Sequence, residues 1–303
     1  MGYQDTAQQP TNHTAAQPGR HPSCAFTVDV EDWYQSCIDF DAPITERVVR
    51  NTDRVLEVLD RRNVKATFFV QGRVAETFPK LLQGLVTAGH EIQSHGYSHR
   101  PVDKMNRNEL RVELQLARKT VEDACGVQVT AFRAPDFTIG NENIWALEVL
   151  AETGFKVDSS IFPMRTHRYG VAGYPTVPHW IDLPNNAGIL EVPVAIWSSG
   201  KLRMPVAGGG YFRLIPSMLI EKIFASMVTR QPVIIYCHPY EFNAHELEEY
   251  YGTKAPKTFL FTQGLGRTHH VKKMDNLLRN LSFGRFDQVL EAWRLNEGRV
   301  SHD

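Results

Sequence analysis

"CAFTVDVEDW", residues 24–33, begins as a run of apolar and β-branched residues and ends in three acids, Asp29, Glu31 and Asp32. Such a run predicts a buried strand, and carboxylates at its end are costly to bury unless something pairs with them. Six more runs have this form: KATFFVQG, HEIQS, VTAFRA, FKVDSS, ILEVPVA and PVIIYCH. Between them the apolar period becomes helical. Val48, Val49, Val55, Leu56, Val58 and Leu59 stripe one face, and a helix is expected from an Asn106 cap, with Glu109 three residues on, to Gly126. Another is expected from Asn141 to Gly154, and a terminal helix interrupted near Gly284. Strand and helix alternating about seven times predict an α/β fold, a parallel sheet covered by helices and either closed as a barrel or open and doubly wound. In both, chemistry gathers at the C-terminal ends of the strands.

The polar residues follow that rule. Asp29, Glu31 and Asp32 follow CAFTV, His95 and His99 follow EIQS, Arg133 and Asp136 follow VTAF, Asp158 follows FKV, and His238 follows PVIIYC. A metal that activates water needs about three protein ligands and an open position. The spacing His95-x-x-x-His99 can present two imidazoles to one ion, although alone it fits a polar loop equally well. The nearby carboxylates favour an acid-His-His site. Arg133 can pair with a carboxylate through its planar fork, and His238 can protonate a leaving amine. Of the aromatics Trp33, Tyr34, Phe137, Trp180, Trp197 and Tyr211, Trp33 and Phe137 adjoin these motifs and are the candidates for stacking on a sugar. Asp136 beside Phe137 is a further candidate contact, and Tyr211, next to three glycines, offers a backbone amide for an oxyanion.

The 303 residues are 42% hydrophobic, enough for a barrel-sized core, and carry 33 Lys and Arg against 34 Asp and Glu. With no single-sign run, nucleic acid is not expected as a partner. The four cysteines fall in no metal-ligand spacing and read as buried thiols. Residues 1–22 are polar and proline-bearing, without the apolar core of a signal peptide, which sets the expectation of a disordered leader on a cytoplasmic protein. The Pro- and Gly-punctuated stretches at 161–188 and 204–216 are long enough to belong to a binding face.

TVDVEDW, HGYSH, FRAPDF, DSSIFP and IIYCHPYEF, in this order, resemble the motif set of the polysaccharide deacetylases, carbohydrate esterase family 4, with the nodulation-type deacetylase homology domain. The resemblance runs from about residue 24 to 243. It is nearest to the branch associated with exosortase and exopolysaccharide gene clusters, where the first motif reads D-V-E-D before an aromatic and a C-terminal extension follows H-P-x-E. It implies a distorted seven-stranded (β/α) barrel over 23–243 with an extension, 244–303, packed on it. It also implies a divalent metal, usually zinc, and removal of N-acetyl groups from an amino-sugar polysaccharide or its lipid-linked precursor. An N-acetylated glycan would be the partner, with peripheral association with envelope glycan-synthesis machinery. Asp29 matches the base, His95 and His99 the metal imidazoles, Arg133 the arginine that orients the base, and His238 the general acid. The common pattern has adjacent aspartates, whereas Val30 follows Asp29 here. On a strand Glu31 shares the face of Asp29, while Asp32 would reach from the turn; both stay candidates, with Glu31 preferred. Two other readings are a hydrolase of cyclic ureides or imides on the same scaffold, and a silent glycan-binding barrel that has lost its base or acid.

Overall fold

The computed structural model describes residues 22–300 apart from 167 and 201, so the expected leader lies outside it but for its last residue. The strands are β1 (Cys24–Val30), β2 (Thr67–Val70), β3 (Glu91–Ser94), β4 (Ala131–Phe132), β5 (Val157–Asp158), β6 (His179–Leu183), β7 (Ala187–Glu191), β8 (Ile196–Ser199), β9 (Leu202–Pro205), β10 (Val233–Cys237) and β11 (Phe283–Gly284). The main sheet runs β10-β1-β2-β3-β4-β5-β7-β6, all parallel except the last pairing. Each of the seven apolar runs supplies one parallel strand of this path, and β11 pairs parallel with β1 beside it. Every residue of β1 is buried, as expected for a central parallel strand with both faces covered.

The sheet is curled. Flat strands lie about 4.8 Å apart, so β1 and β4 would be roughly 14 Å apart across β2 and β3. Yet Arg133, the residue after β4, donates from Nη1 to Thr27 Oγ1 at 2.7 Å and Asp29 Oδ1 at 2.8 Å, both on β1. Strand pairing by itself does not close the barrel. Among the described residues no ladder joins β7 to β10. The seam carries single backbone bonds instead, Ala195 N–H to Ile234 O and Tyr236 N–H to Ala207 O. The excursion through the β8–β9 hairpin is the physical reason, because it brings residues 206–208 against β10. Gly208 fits only because it lacks a side chain, as a Cβ would stand 2.1 Å from the Tyr236 carbonyl oxygen.

The helix Arg107–Cys125 has the expected capping box, Asn106 with Glu109, and ends on Gly126 at φ 73°. The helix expected from Asn141 instead starts at Ala146, behind a short 3-10 turn, Asn141–Asn143. The interruption at Gly284 is a strand: β11 adds Phe283 and Gly284 beside Cys24 and Ala25. The C-terminal segment also forms a satellite core in which Trp33, Tyr240, Leu247, Tyr250 and Leu260 are buried together.

Asp158 and Glu191 face each other on β5 and β7, both fully buried. Burial pushes both carboxyls up, and each other's charge raises Glu191 further, so the pair holds a proton. Above the ordinary carboxyl range the unfolded chain has released that proton while the folded pair keeps it, so stability falls as pH rises through this window. Glu191→Gln is expected to raise the Tm at pH 8 by roughly 2–4 °C, the effect of about 1 kcal/mol in a domain this large. The gain should shrink toward pH 4, which thermal melts across pH would check.

Candidate functional site

β1 alternates, so Thr27, Asp29 and then Glu31 project to one side. Asp29 is buried and held by Arg133. Arg133 is itself fully buried, donates from Nη2 to Ser159 Oγ at 3.1 Å, and lies 4.2 Å over the Phe69 ring. A guanidinium anchored on Thr27, Ser159 and an aromatic face fixes the Asp29 carboxylate in one orientation.

Glu31 lies just past the strand and meets the histidines that follow β3. Its Oε2 is in contact with His99 Nε2 and 3.6 Å from His95 Nε2. One ligand atom from each residue falls within 4.8 Å of the others, and all three residues are buried. His95 Nδ1–H donates to the Arg133 carbonyl at 2.9 Å, which leaves its Nε2 lone pair directed at the cluster. Glu31 Oε2 has no hydrogen-bond donor although it is buried. Burial alone would raise the Glu31 carboxyl, but His99, then His95 and His238, hold it well below the usual range. A buried acid-His-His set with an orphaned oxygen and an oriented imidazole fits a divalent cation. His99 reaches it with φ 64°, and Asp136 and Phe137 also have positive φ, 54° and 53°, so strained backbone gathers around the site.

His238 follows β10. Its Nε2 is 3.9 Å from Glu31 Oε1, and its Nδ1–H donates to Glu241 Oε2 at 3.1 Å. Burial opposes its charge, yet the Glu241 hydrogen bond and the Glu31 and Glu241 charges outweigh it and raise the imidazole to about 9. Tyr240 lies parallel to the His238 ring at 4.9 Å, and its hydroxyl donates to Glu31 Oε1 at 3.0 Å. Tyr240 thereby occupies one Glu31 oxygen and leaves Oε2 for a cation. Tyr240→Phe is expected to weaken zinc binding by about tenfold, the lower end for such supporting partners, measurable by competition with a chromogenic chelator.

These groups line a cleft of about 320 Å³, whose walls also include Phe40, Asp136, Phe137, Tyr169, Tyr211 and Phe259. The structure thus brings Asp29, Glu31, His95, His99 and His238 together, with Arg133 behind Asp29. Asp136 is at the wall and accepts from Arg168 at 3.1 Å. Tyr211 is at the rim, and Phe137 lines the cleft but is 5% exposed and packs on Tyr236 and Phe162.

Two candidates are placed elsewhere. Asp32 caps the short helix Trp33–Cys37: Oδ1 accepts the Tyr34 and Gln35 N–H groups, and Oδ2 accepts Thr45 N–H and Oγ1–H. With both oxygens engaged it is not free to join the cluster. Trp33 does not line the cleft; the same helix turns it into the satellite core, 1% exposed, with its ring 4.6 Å from Tyr250 and 6.0 Å from Phe259. Tyr240, Glu241 and Arg213 are additions. Tyr240 and Glu241 lie inside the CHPYEF stretch, Glu241 as the acid of H-P-x-E, and Arg213 pairs with Glu241 from 28 residues away.

Residues 27–157 match a family model described as polysaccharide deacetylase, and residues 159–291 match one described as a domain of unknown function (DUF3473). A peptidoglycan-N-acetylglucosamine deacetylase of Bacillus cereus is 35% identical over 98 residues, 32% of this chain and 36% of that protein. A peptidoglycan deacetylase-like protein of Gibberella zeae is 33% identical over 154 residues, 46% of this chain and 45% of that one. The chain therefore spans less than half the length of these curated relatives. Among solved structures, a candidate polysaccharide deacetylase of Mycobacterium smegmatis aligns with a TM-score of 0.60 at 19% identity, covering 95% of this chain and 96% of that one. An allantoinase aligns at 0.58 and 14% identity, covering 95% of each chain. At these identities the likeness is one of fold.

Proposed function

We propose that this chain, a member of the polysaccharide-deacetylase superfamily through residues 27–157, is a divalent-metal-dependent amide hydrolase that removes N-acetyl groups from an amino-sugar glycan. The observation that carries the reading is the convergence of Glu31, His95 and His99 with Asp29 and His238 on one cleft. Glu31, His95 and His99 would hold the ion. When bound it supplies Lewis acidity, which lowers the pKa of a water and polarises an acyl oxygen. Asp29, fixed by Arg133, takes the proton of the attacking water as its oxygen bonds to the acyl carbon. His238, cationic, gives its Nε2 proton to the nitrogen as the C–N bond breaks, and acetate and a free amine leave.

The wall residues Phe137, Asp136 and Tyr211 are where a sugar ring would lie, with the Tyr211 backbone amide the candidate donor to the oxyanion. The D-V-E-D and H-P-Y-E stretches support assignment to exopolysaccharide or envelope-glycan synthesis, acting on the polymer or its lipid-linked precursor, with zinc as the metal. A metal-free ureide hydrolase would have no use for the buried Glu31-His95-His99 set. The test is mass spectrometry of N-acetylglucosamine oligomers and of allantoin after incubation with the zinc-loaded protein. Loss of acetyl groups from the oligomers supports the reading, and turnover of allantoin alone overturns it.

The pH profile carries a further expectation. His238 is the donor while protonated, so kcat/KM falls as pH rises through its pKa. A cation on Glu31 removes part of the support that lifts the imidazole to about 9, so the alkaline limb should lie below that value. Glu241→Gln should move the limb to lower pH, because it removes a carboxylate that raises the pKa.

A further inference from the structure

The polysaccharide deacetylase match ends at residue 157, and His238 lies in the segment whose function is undefined. That segment also surrounds His238 with an ordered set of charges. Glu241 Oε2 accepts from both His238 N–H at 3.0 Å and His238 Nδ1–H at 3.1 Å, while Glu241 Oε1 is in contact with Arg213 Nη1. Glu241 is 1% exposed and Arg213 6%. Arg213 is fixed in turn, donating from Nε to Leu265 O at 2.9 Å and from Nη2 to Gln263 O at 3.1 Å. Lys273, on the helix His270–Asn280, donates to the Phe212 and Arg213 carbonyls at 2.8 Å each and to the Ile215 carbonyl. A chain of polar contacts thus runs from the helix His270–Asn280 through Arg213 and Glu241 to the ring of His238.

From this geometry we propose that Glu241 and Arg213 are a positioning pair: Glu241 holds His238 in the Nδ1–H orientation that turns Nε2 toward the cleft, and Arg213 fixes Glu241. The segment of unknown function then completes the active site by supplying both the leaving-group acid and the frame that aims it. This rests on the hydrolase reading above. A carboxylate held by a guanidinium and two hydrogen bonds has one accessible orientation, and the ring it binds inherits that order. The step served is proton delivery to nitrogen as the C–N bond breaks. An amine leaves poorly without that proton, whereas a nitrophenolate leaves as the anion.

That contrast supplies the test. The zinc-loaded full chain and its Glu241→Gln variant are assayed on an N-acetylglucosamine oligomer and on 4-nitrophenyl acetate, with zinc affinity measured alongside. The expected result is a fall in kcat on the amide of about 10²–10⁴-fold, the usual range for lost acid-base assistance. KM, zinc affinity and ester turnover should stay within about threefold, and Arg213→Lys should fall between wild type and Glu241→Gln on the amide alone. If Glu241→Gln fails to fold because Arg213 is left buried without its partner, the double variant Arg213→Met with Glu241→Gln removes both charges and is read in the same way. Equal losses on amide and ester, or no loss on the amide, overturn the positioning role. A wild-type protein inert on both substrates overturns the hydrolase reading itself.

Discussion

Asp29→Asn should bind zinc as the wild type does and lose about two to four orders of magnitude in amide hydrolysis, the range for removal of a general base. The separation follows from the geometry. Asp29 is gripped by Arg133, while the proposed metal set is Glu31, His95 and His99, so the substitution removes the proton acceptor and spares the ligands. It also leaves the buried Arg133 guanidinium facing a neutral amide, and removing one partner of a buried ion pair costs about 3–5 kcal/mol when nothing replaces it. Asparagine keeps an acceptor oxygen for Arg133 Nη1, so the loss should be smaller than in Asp29→Ala. Thermal melts and zinc titration of both variants separate the two contributions: lost hydrolysis with zinc binding intact assigns the effect to chemistry, and lost zinc binding would assign it to the scaffold.

The second large effect concerns the metal set. Glu31→Ala removes the only carboxylate of the cluster, and zinc affinity is expected to fall by more than about a hundredfold, since partners one shell further out already account for 10–100-fold. Hydrolysis should fall with it. The variant also loses the Tyr240 hydrogen bond to Glu31, so thermal melts without metal should accompany the titration to show that it folds. Asp32→Ala should do the reverse. It leaves zinc affinity nearly unchanged and lowers stability by about 1 kcal/mol, because the carboxylate caps a helix and Thr45 instead of facing the cluster. Competition titration with a chelator of known affinity distinguishes the two variants.

Much of this site can be read from residues close in sequence. Seven of the parallel strands are marked by their composition, and their ends by the polar residues that follow them, whereas the two-residue β11 is too short to carry a signal. Strand alternation places Glu31 beside Asp29, whereas the five-residue helix that makes Asp32 a cap is too short to show a helical period. Trp33 was not legible, because an aromatic beside an acid can face a ligand or a core, and only the distant residues Tyr250 and Phe259 decide. Glu241 is visible as the acid of H-P-x-E, but its pairing with Arg213 is not, since a buried ion pair between a helix and a 3-10 turn 28 residues later leaves no periodicity. The seam between β7 and β10 escaped as well: apolar runs identify strands, but closure depends on what the intervening loops place between them.

The most direct test of the account is a zinc titration of the demetallated protein, with acetate release from N-acetylglucosamine oligomers followed in the same samples. The account predicts no release without metal and a rise that saturates at one zinc per chain, at the stoichiometry set by Glu31, His95 and His99. Release that is independent of metal, or one zinc bound tightly with no release at all, would contradict it.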